Sequence, residues 1–312
     1  MLNFFKIILL IIILPIVVFL INYQINLNGY YNKSSRFLEN IYLNQKKGNN
    51  IELRFSNYNR RKIVSSRIYS LKNSTIDSLV IGSSLTMKLG LPLKQKLLNF
   101  SVSSPSIQDY EIIQTLLEEN NVKVNNLIIN FYEVLCFENF KSDRHNLFSQ
   151  LSLKNGLIEG FKVKTMLQSL TPNKIIIEKS HKTSYQTTLN HDGSIKDNFL
   201  NSSTNLKVNI SKRLISLNNN INSYRIDFNR FNRLVKNTTA NKVTIVIIPC
   251  PLKVYNKNKE FFNKIEREII RTKIKSNIKI IGSFNPLKFK IDINDFDDAH
   301  HLNLNGLNKI FN

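Results

Sequence analysis

The sequence is poor in several residues and patterns that identify functional classes. It contains no tryptophan and only two cysteines, Cys136 and Cys250, so a single disulfide and two separate thiols are equally open. It has no glycine-rich phosphate loop, no zinc-finger spacing and no RNP-like aromatic motif. His145, His181 and His191 show no metal-ligand spacing. We therefore expect no metal ion and no cofactor.

Acidic residues are also scarce, because 22 Asp and Glu stand against 44 Lys and Arg, which gives a formal net charge of +22. Such a balance favours anionic partners, namely phospholipid, acidic glycan or nucleic acid. The excess is spread along the chain and forms no basic low-complexity tail. Since no nucleic-acid-binding motif accompanies the charge, nucleic acid is the partner that we expect least.

The amino-terminal segment contains a long apolar run, from Ile7 to Ile21, without a charged residue. With its apolar flanks the run approaches the roughly 20 residues that span a bilayer, and Pro15 is tolerable in such a helix. No small-x-small cleavage pattern follows, which favours an uncleaved signal anchor over residues 1–22. Flanking positive charges are nearly balanced, and we expect the main domain on the extracytoplasmic side of a single-pass membrane protein.

Beyond the anchor, the pattern predicts an α/β domain over residues 76–312. Residues 23–75 are polar, show no clear strand and predict a stalk or a helical lead-in. Apolar runs and turn residues predict strands over 76–83, 96–102, 125–132, 241–251 and 278–283, and helices over 106–120, with Ser106 as N-cap, and 259–274. Strands that alternate with helices indicate a five-stranded parallel sheet.

A largely helical insertion, at about 136–240, separates the third strand from the fourth. Within it, residues 183–198 predict a loop or hairpin around His191–Ser194. A helix follows, with an apolar stripe at Ile210, Leu214, Leu217, Ile221, Tyr224, Phe228, Phe231 and Val235. Such a stripe is typical of a crossover helix packed on the sheet, and also of a helix that forms a coiled coil with a partner. We favour the crossover helix.

In an open α/β sheet, the functional residues lie beyond the carboxyl ends of the strands. Two polar segments of this sequence are expected there. The first strand ends in "LVIGSSLT", which is either an ordinary strand exit or a turn that presents Ser84 as a nucleophile. A serine hydroxyl needs a base within hydrogen-bond reach, and histidine suits that role at neutral pH. Asp298 precedes His301 by three residues, a spacing that lets one turn present both side chains.

Three blocks, "IGSS", "NFSVSSPSIQD" and "DDAHHLNLNG", resemble the SGNH/GDSL hydrolase superfamily. The resemblance covers residues 76–133 and 241–312. It implies a flavodoxin-like three-layer α/β/α fold, with Ser84 as nucleophile, His301 as base and Asp298 as the acid that orients the base. The ending His-Leu-Asn-x-x-Gly favours His301 over His300, and Asp298 over Asp297.

The resemblance also implies an oxyanion hole, and here the sequence departs from the family pattern. Besides Ser84, the residue nearest the usual glycine of the second block is Ser104, whose backbone N–H remains available. The third block usually carries an asparagine as donor, whereas this chain has Glu133 in register, and Asn130 could substitute only if the strand end is displaced. Loss of one oxyanion donor costs on the order of 10²–10³ in rate.

These features predict a membrane-anchored serine esterase or acyltransferase that acts on an acyl ester through an acyl-enzyme. The topology resembles that of anchored superfamily members that modify surface glycans, which implies an envelope polysaccharide as substrate. The implied partners are the lipid bilayer, through residues 1–22, an acylated glycan and polysaccharide assembly proteins. The alternative is a catalytically inactive relative that binds or assembles surface glycan. A basic, membrane-associated nucleic-acid binder is the weakest hypothesis.

Overall fold

The structure is a computed structural model. It describes residues 2–25, 41, 43–53, 60–132, 135, 161, 163, 167, 186–198, 210–215, 228–272 and 278–311, some of them in the backbone only. The helices are α1 (Leu2–Ile25), α2 (Arg60–Ser70), α3 (Ile107–Glu119), α4 (Phe228–Asn237), α5 (Leu252–Lys257), α6 (Lys259–Thr272) and α7 (Leu304–Phe311). The strands are β1 (Ile51–Leu53), β2 (Thr75–Ile81), β3 (Leu98–Asn99), β4 (Lys123–Phe131), β5 (Gln186–Leu189), β6 (Ile195–Asn198), β7 (Lys242–Ile247) and β8 (Ile278–Gly282).

The central sheet has five parallel strands in the order β3-β2-β4-β7-β8. The predicted α/β class and the predicted five-stranded parallel sheet are therefore confirmed. All five predicted strands occur, although the second is short, with two residues where seven were expected. Parallel strands covered on both faces are rich in Val and Ile, as β2, β4 and β7 are here.

Apolar side chains cover both faces of the sheet, and the two-residue period of a strand assigns them to a face. Leu79 and Ile81 on β2 belong to the larger apolar cluster, whereas Val80 between them belongs to the smaller one. The larger cluster includes side chains from α2, α3, α4, α5 and α6, and the smaller cluster includes side chains from α7. Helices thus flank the sheet.

Helix α3 forms as its sequence predicts. Ser106 is its N-cap and makes a capping box with Asp109, which satisfies backbone N–H groups at the helix start. Ile107, Tyr110, Ile113 and Leu117 are buried.

Two elements before residue 76 pack into the domain, although the sequence predicted no strand there and a domain that starts at 76. Helix α2 buries Val64 and Ile68 in the larger apolar cluster. Strand β1 pairs antiparallel with β5, and β5 with β6, to form a small second sheet. This sheet contacts the main one at β3, where the Asn99 N–H donates to the Asp192 carbonyl oxygen at 2.8 Å.

The insertion is described only in parts. Its predicted hairpin is confirmed as β5 and β6. Of the predicted helix, residues 210–215 and α4 are helical, and Ile210, Leu214, Phe231 and Val235 are buried, which agrees with a stripe that faces the core. Residues 216–227, with Leu217, Ile221 and Tyr224 of that stripe, lie outside the described residues.

Within the part of the chain that the structure describes, no helix is long and apolar enough to cross a membrane. The side chains described in α1 are those of residues 12–23. Residues 1–11 of the predicted anchor lie outside that set, so the membrane-spanning role of residues 1–22 stays a prediction.

Candidate active site

The turn after β2 places Ser84 beyond the carboxyl end of the strand. Gly82 has no room for a side chain, because a Cβ there would lie within 2.9 Å of Ser101 Oγ and in closer conflict with Thr86. Ser83 caps the following 3₁₀ helix, Ser84–Thr86, and accepts a hydrogen bond from the Leu85 N–H at 3.2 Å. Ser83 is buried while Ser84 is half-buried, so the second serine of the pair is the one that the turn presents.

Ser84, His301 and Asp298 form a continuous hydrogen-bonded chain. His301 Nε2 lies 2.8 Å from Ser84 Oγ, and His301 Nδ1 lies 2.7 Å from Asp298 Oδ2. Because an ionised carboxylate only accepts, Nδ1 carries the proton and Nε2 is left to accept from the serine hydroxyl. This is the arrangement in which a histidine can remove a serine proton.

A turn at the carboxyl terminus holds this pair of side chains. Asp298 Oδ1 accepts from the backbone N–H groups of His300 and His301, at 2.6 and 2.7 Å. Burial raises the pKa of Asp298, but the hydrogen bond and charge of His301 and the two backbone N–H groups together lower it by more. The pKa of this carboxyl therefore lies well below its usual range, and Asp298 is ionised at neutral pH.

The neighbouring His300 and Asp297 take no part in this chain. Burial and then the positive charge of Arg213 lower the pKa of His300 to about 3, so this imidazole is neutral at neutral pH. Asp297 forms an ion pair with Lys88. The structure thus brings His301 and Asp298, and not their neighbours, to Ser84.

Two of the three predicted oxyanion donors keep a usable N–H. In the described part of the chain, the backbone N–H groups of Ser84 and Ser104 have no acceptor. Ser104 has a φ of 45°, in the left-handed region that favours glycine. The resemblance to SGNH hydrolases implies a glycine at this position, and the backbone here has the conformation that a glycine would adopt most easily.

Asn130 does not supply the third donor, which corrects the prediction from the sequence. Its Oδ1 accepts from the N–H and the hydroxyl of Ser83, at 3.2 and 2.6 Å. Its Nδ2 donates to the carbonyl oxygens of Phe131 and Val246, at 3.1 and 3.3 Å. The Ser83 N–H requires an acceptor, which fixes this orientation of the amide, with Nδ2 on the two carbonyl oxygens. Glu133 lies outside the described residues.

Several buried cations contact the loops of the site, and the sequence did not identify them. Arg61 donates to the carbonyl oxygens of Ser103 and Ser104. Lys88 pairs with Asp297, and Arg213 donates to the Ala299 carbonyl oxygen. In a chain with 44 basic residues, no local pattern distinguishes these three from the rest.

The structure describes one of the two cysteines, Cys250. Cys250 is buried, with Sγ 3.6 Å from the Phe284 carbonyl oxygen, and Cys136 lies outside the described residues. No group of three or more His, Cys, Asp or Glu side chains that could hold a metal ion occurs among the residues that the structure describes. His145 and His181 are not among them.

No family model matches the chain, and no curated protein matches it either. The likeness to SGNH hydrolases therefore depends on the three sequence blocks.

Proposed function

We propose that this protein is a serine esterase or O-acyltransferase of the SGNH kind, with Ser84 as nucleophile, His301 as general base and Asp298 as the acid that orients it. The observation that supports the proposal best is the 2.8 Å contact between Ser84 Oγ and His301 Nε2, next to the 2.7 Å contact between His301 Nδ1 and Asp298. Both fall within the reach that proton transfer requires.

The proposed reaction has two halves. Ser84 Oγ attacks the carbonyl carbon of an ester while His301 Nε2 takes the hydroxyl proton, and Asp298 stabilises the imidazolium. His301 then returns the proton to the leaving alcohol oxygen, the C–O bond breaks, and an acyl-enzyme remains on Ser84. In the second half, water or a sugar hydroxyl attacks the acyl-enzyme by the same proton path, which releases an acid or a new ester.

The negative charge on the tetrahedral oxygen needs donors that are already in place. We assign this role to the backbone N–H groups of Ser84 and Ser104, which have no acceptor in the described part of the chain. Asn130 adds none, so we expect a slower enzyme than one with three donors, by on the order of 10²–10³.

We extend the proposal to fold family, location and substrate. The strand order β3-β2-β4-β7-β8 corresponds to 2-1-3-4-5, the flavodoxin-like order, and supports a three-layer α/β/α sandwich. The apolar run before residue 22 supports an anchor in the cell membrane, with the domain outside. The resemblance to anchored glycan-modifying proteins supports an acylated envelope polysaccharide as substrate and its assembly proteins as partners.

One observation favours the second candidate, a catalytically inactive SGNH-like protein that binds or assembles glycan. The amide of Asn130 is fully committed to the protein interior, so the oxyanion hole has two donors where the family pattern implies three. Such a protein would keep glycan binding and cellular function in Ser84→Ala.

Covalent labelling separates the two candidates. A fluorophosphonate reacts only if an activated oxygen displaces its fluoride, so we expect labelling of the wild-type chain and none of Ser84→Ala. Ser78→Ala is the matched control, because this serine lies on the same strand, at its middle, three residues before the strand ends. Folded wild-type protein that stays unlabelled would count against the enzyme and for the binding protein.

A further inference from the structure

One buried side chain holds two backbone carbonyl groups next to the proposed oxyanion site. Arg61 on α2 donates from Nη2 to the carbonyl oxygens of Ser103 and Ser104, at 3.1 and 3.2 Å. Arg61 is 4% exposed, although the two serines lie at the surface. The turn is therefore held from inside the domain.

The peptide unit between Ser103 and Ser104 connects this contact to the oxyanion site. In a planar trans peptide, the C=O and the N–H point in opposite directions. Because Arg61 holds the Ser103 carbonyl towards the buried guanidinium, the N–H of Ser104 in the same unit is directed away from it. That N–H is one of the two donors that we assign to the oxyanion.

The turn needs such a contact, because Ser104 has a φ of 45°. The left-handed region is unfavourable for a residue with a side chain, because its Cβ comes close to the following carbonyl oxygen. A strained backbone persists only when its surroundings determine it. One N–H of Arg61 Nη2 is directed at Asp109, and the other is shared between the carbonyl oxygens of Ser103 and Ser104; this charged, bifurcated contact supplies that restraint.

Asp109 on α3 fixes the guanidinium in turn. Its Oδ1 accepts from Arg61 Nε at 2.8 Å and its Oδ2 accepts from Arg61 Nη2 at 2.9 Å, so the pair is bidentate. Asp109 is fully buried and also accepts from the Ser106 N–H at 2.6 Å. A bidentate pair fixes the plane of the guanidinium as well as its position.

We infer that Arg61, held by Asp109, is a positioning residue that aims the Ser104 N–H at the oxyanion of the reaction. The inference rests on the proposed function. Arg61 acts through the Ser103–Ser104 peptide unit. Helix α2, which carries Arg61, lies outside the three recognised blocks.

The test compares Arg61→Lys with wild type on p-nitrophenyl acetate and on its thiono analogue, in which sulfur replaces the carbonyl oxygen. Lysine keeps the charge but loses the bidentate fork. We expect kcat on the oxygen ester to fall about 10- to 100-fold while KM changes less than about twofold, because the donor acts on the transition state. Sulfur is the weaker acceptor, so the preference for the oxygen ester should fall as well.

Arg230→Lys is the matched control. Arg230 makes a bidentate pair with Glu111, which lies on the same helix as Asp109. We expect this variant to keep the kcat and the substrate preference of wild type.

The outcomes are distinct. Unchanged kcat and preference in folded Arg61→Lys would overturn the inference and leave the proposed function standing. A fall in kcat with an unchanged preference would also overturn it, since general loosening of the site slows both esters alike. The preference is the ratio of the rates on the two esters, so it does not depend on the fraction of the protein that is folded. If Arg61→Lys does not fold, Asp109→Asn is measured in its place. Wild-type protein without Ser84-dependent turnover would overturn the proposed function and the inference together.

Discussion

Lys88 and Asp297 form an ion pair that joins the loop carrying Ser84 to the loop carrying His301. Their side chains are 11% and 20% exposed, so the pair lies largely below the surface. The Asp297 N–H also donates to the His301 carbonyl oxygen at 2.8 Å. The spacing between the two loops sets the distance between Ser84 Oγ and His301 Nε2, so this pair contributes to the geometry of the site.

We predict that Lys88→Met lowers both stability and activity. Removal of one partner from a fully buried pair costs about 3–5 kcal/mol, and partial exposure reduces the cost here to roughly 1–3 kcal/mol. The loop that carries His301 loses a restraint, so kcat should fall as well. Urea denaturation and ester hydrolysis measure the two effects.

The control is Arg271→Met, which removes an exposed ion pair with Glu268 on α6. Such a pair contributes little, and we expect a change below about 0.5 kcal/mol and unaltered kcat. If Lys88→Met behaves like this control, the ion pair does not set the geometry of the site.

A second prediction concerns Asn130, which we place beneath the turn and not in the oxyanion hole. Asn130→Ala leaves buried partners of its amide unsatisfied, among them the Ser83 N–H and the Val246 carbonyl oxygen. We expect a loss of about 1–3 kcal/mol in the free energy of unfolding, measured by urea denaturation, together with lower activity. A loss of kcat at unchanged stability would instead identify Asn130 as an oxyanion donor.

Local patterns explain which parts of the site the sequence could predict. An apolar strand that ends in Gly-Ser-Ser and an Asp-x-x-His turn are formed by neighbours in the chain, so Ser84, Asp298 and His301 stood out. The hydrogen-bond partners of the Asn130 amide are not all close to it in the sequence. One of them is the Val246 carbonyl oxygen on β7. The sequence alone could not show that the amide is already committed there.

The unpredicted strand β1 and the burial of helix α2, which lies within the predicted stalk or helical lead-in, have the same cause. Strand β1 has three residues, and Ile51 pairs with Leu189 on β5, far along the chain. Three residues are too few to show the two-residue alternation of apolar and polar side chains that predicts a strand. This segment is a strand because it pairs with β5. Helix α2 begins with Arg-Arg-Lys, which suggests a solvated segment, yet Arg60 and Arg61 are buried. Their acceptors are backbone carbonyls on other loops and, for Arg61, also the Asp109 carboxylate on α3, which composition does not reveal.

A third prediction follows from the pKa of His300, lowered from 6.5 to about 3. Between these values the unfolded chain binds a proton that the folded chain does not, so stability should fall as the pH is lowered through this window. Asp298 adds to the loss below about pH 4, because its folded pKa lies beneath the unfolded one.

His300→Gln should remove the first part of this loss. Urea midpoints measured from pH 8 to pH 4 should show a flatter decline for the variant than for wild type. At pH 8 the His300 imidazole of the wild-type chain is neutral both folded and unfolded, so the difference between the two proteins there reports only the changed packing and serves as the reference. Parallel curves for the two proteins would contradict the lowered pKa of His300.

The fourth prediction concerns the proposed triad as a unit. Ser84→Ala and His301→Ala should each abolish nearly all hydrolysis of p-nitrophenyl acetate, and the double variant should lose little more, because residues that act together are not additive. Asp298→Ala should cost less than either, since a mis-oriented imidazole still accepts a proton some of the time. His300→Ala should keep most activity, because its ring takes no part in the hydrogen-bonded chain.

The activities of these five variants together distinguish the hypotheses better than the activity of any single variant. Loss of activity in His300→Ala with His301→Ala intact would move the base by one residue, against the 2.8 Å contact of His301 with Ser84. Additive losses in the double variant would indicate two independent effects instead of one proton path. Equal activity in all five would leave Ser84 as a turn residue, and the hydrogen-bonded chain would then be a structural clamp between the first strand and the carboxyl-terminal loop.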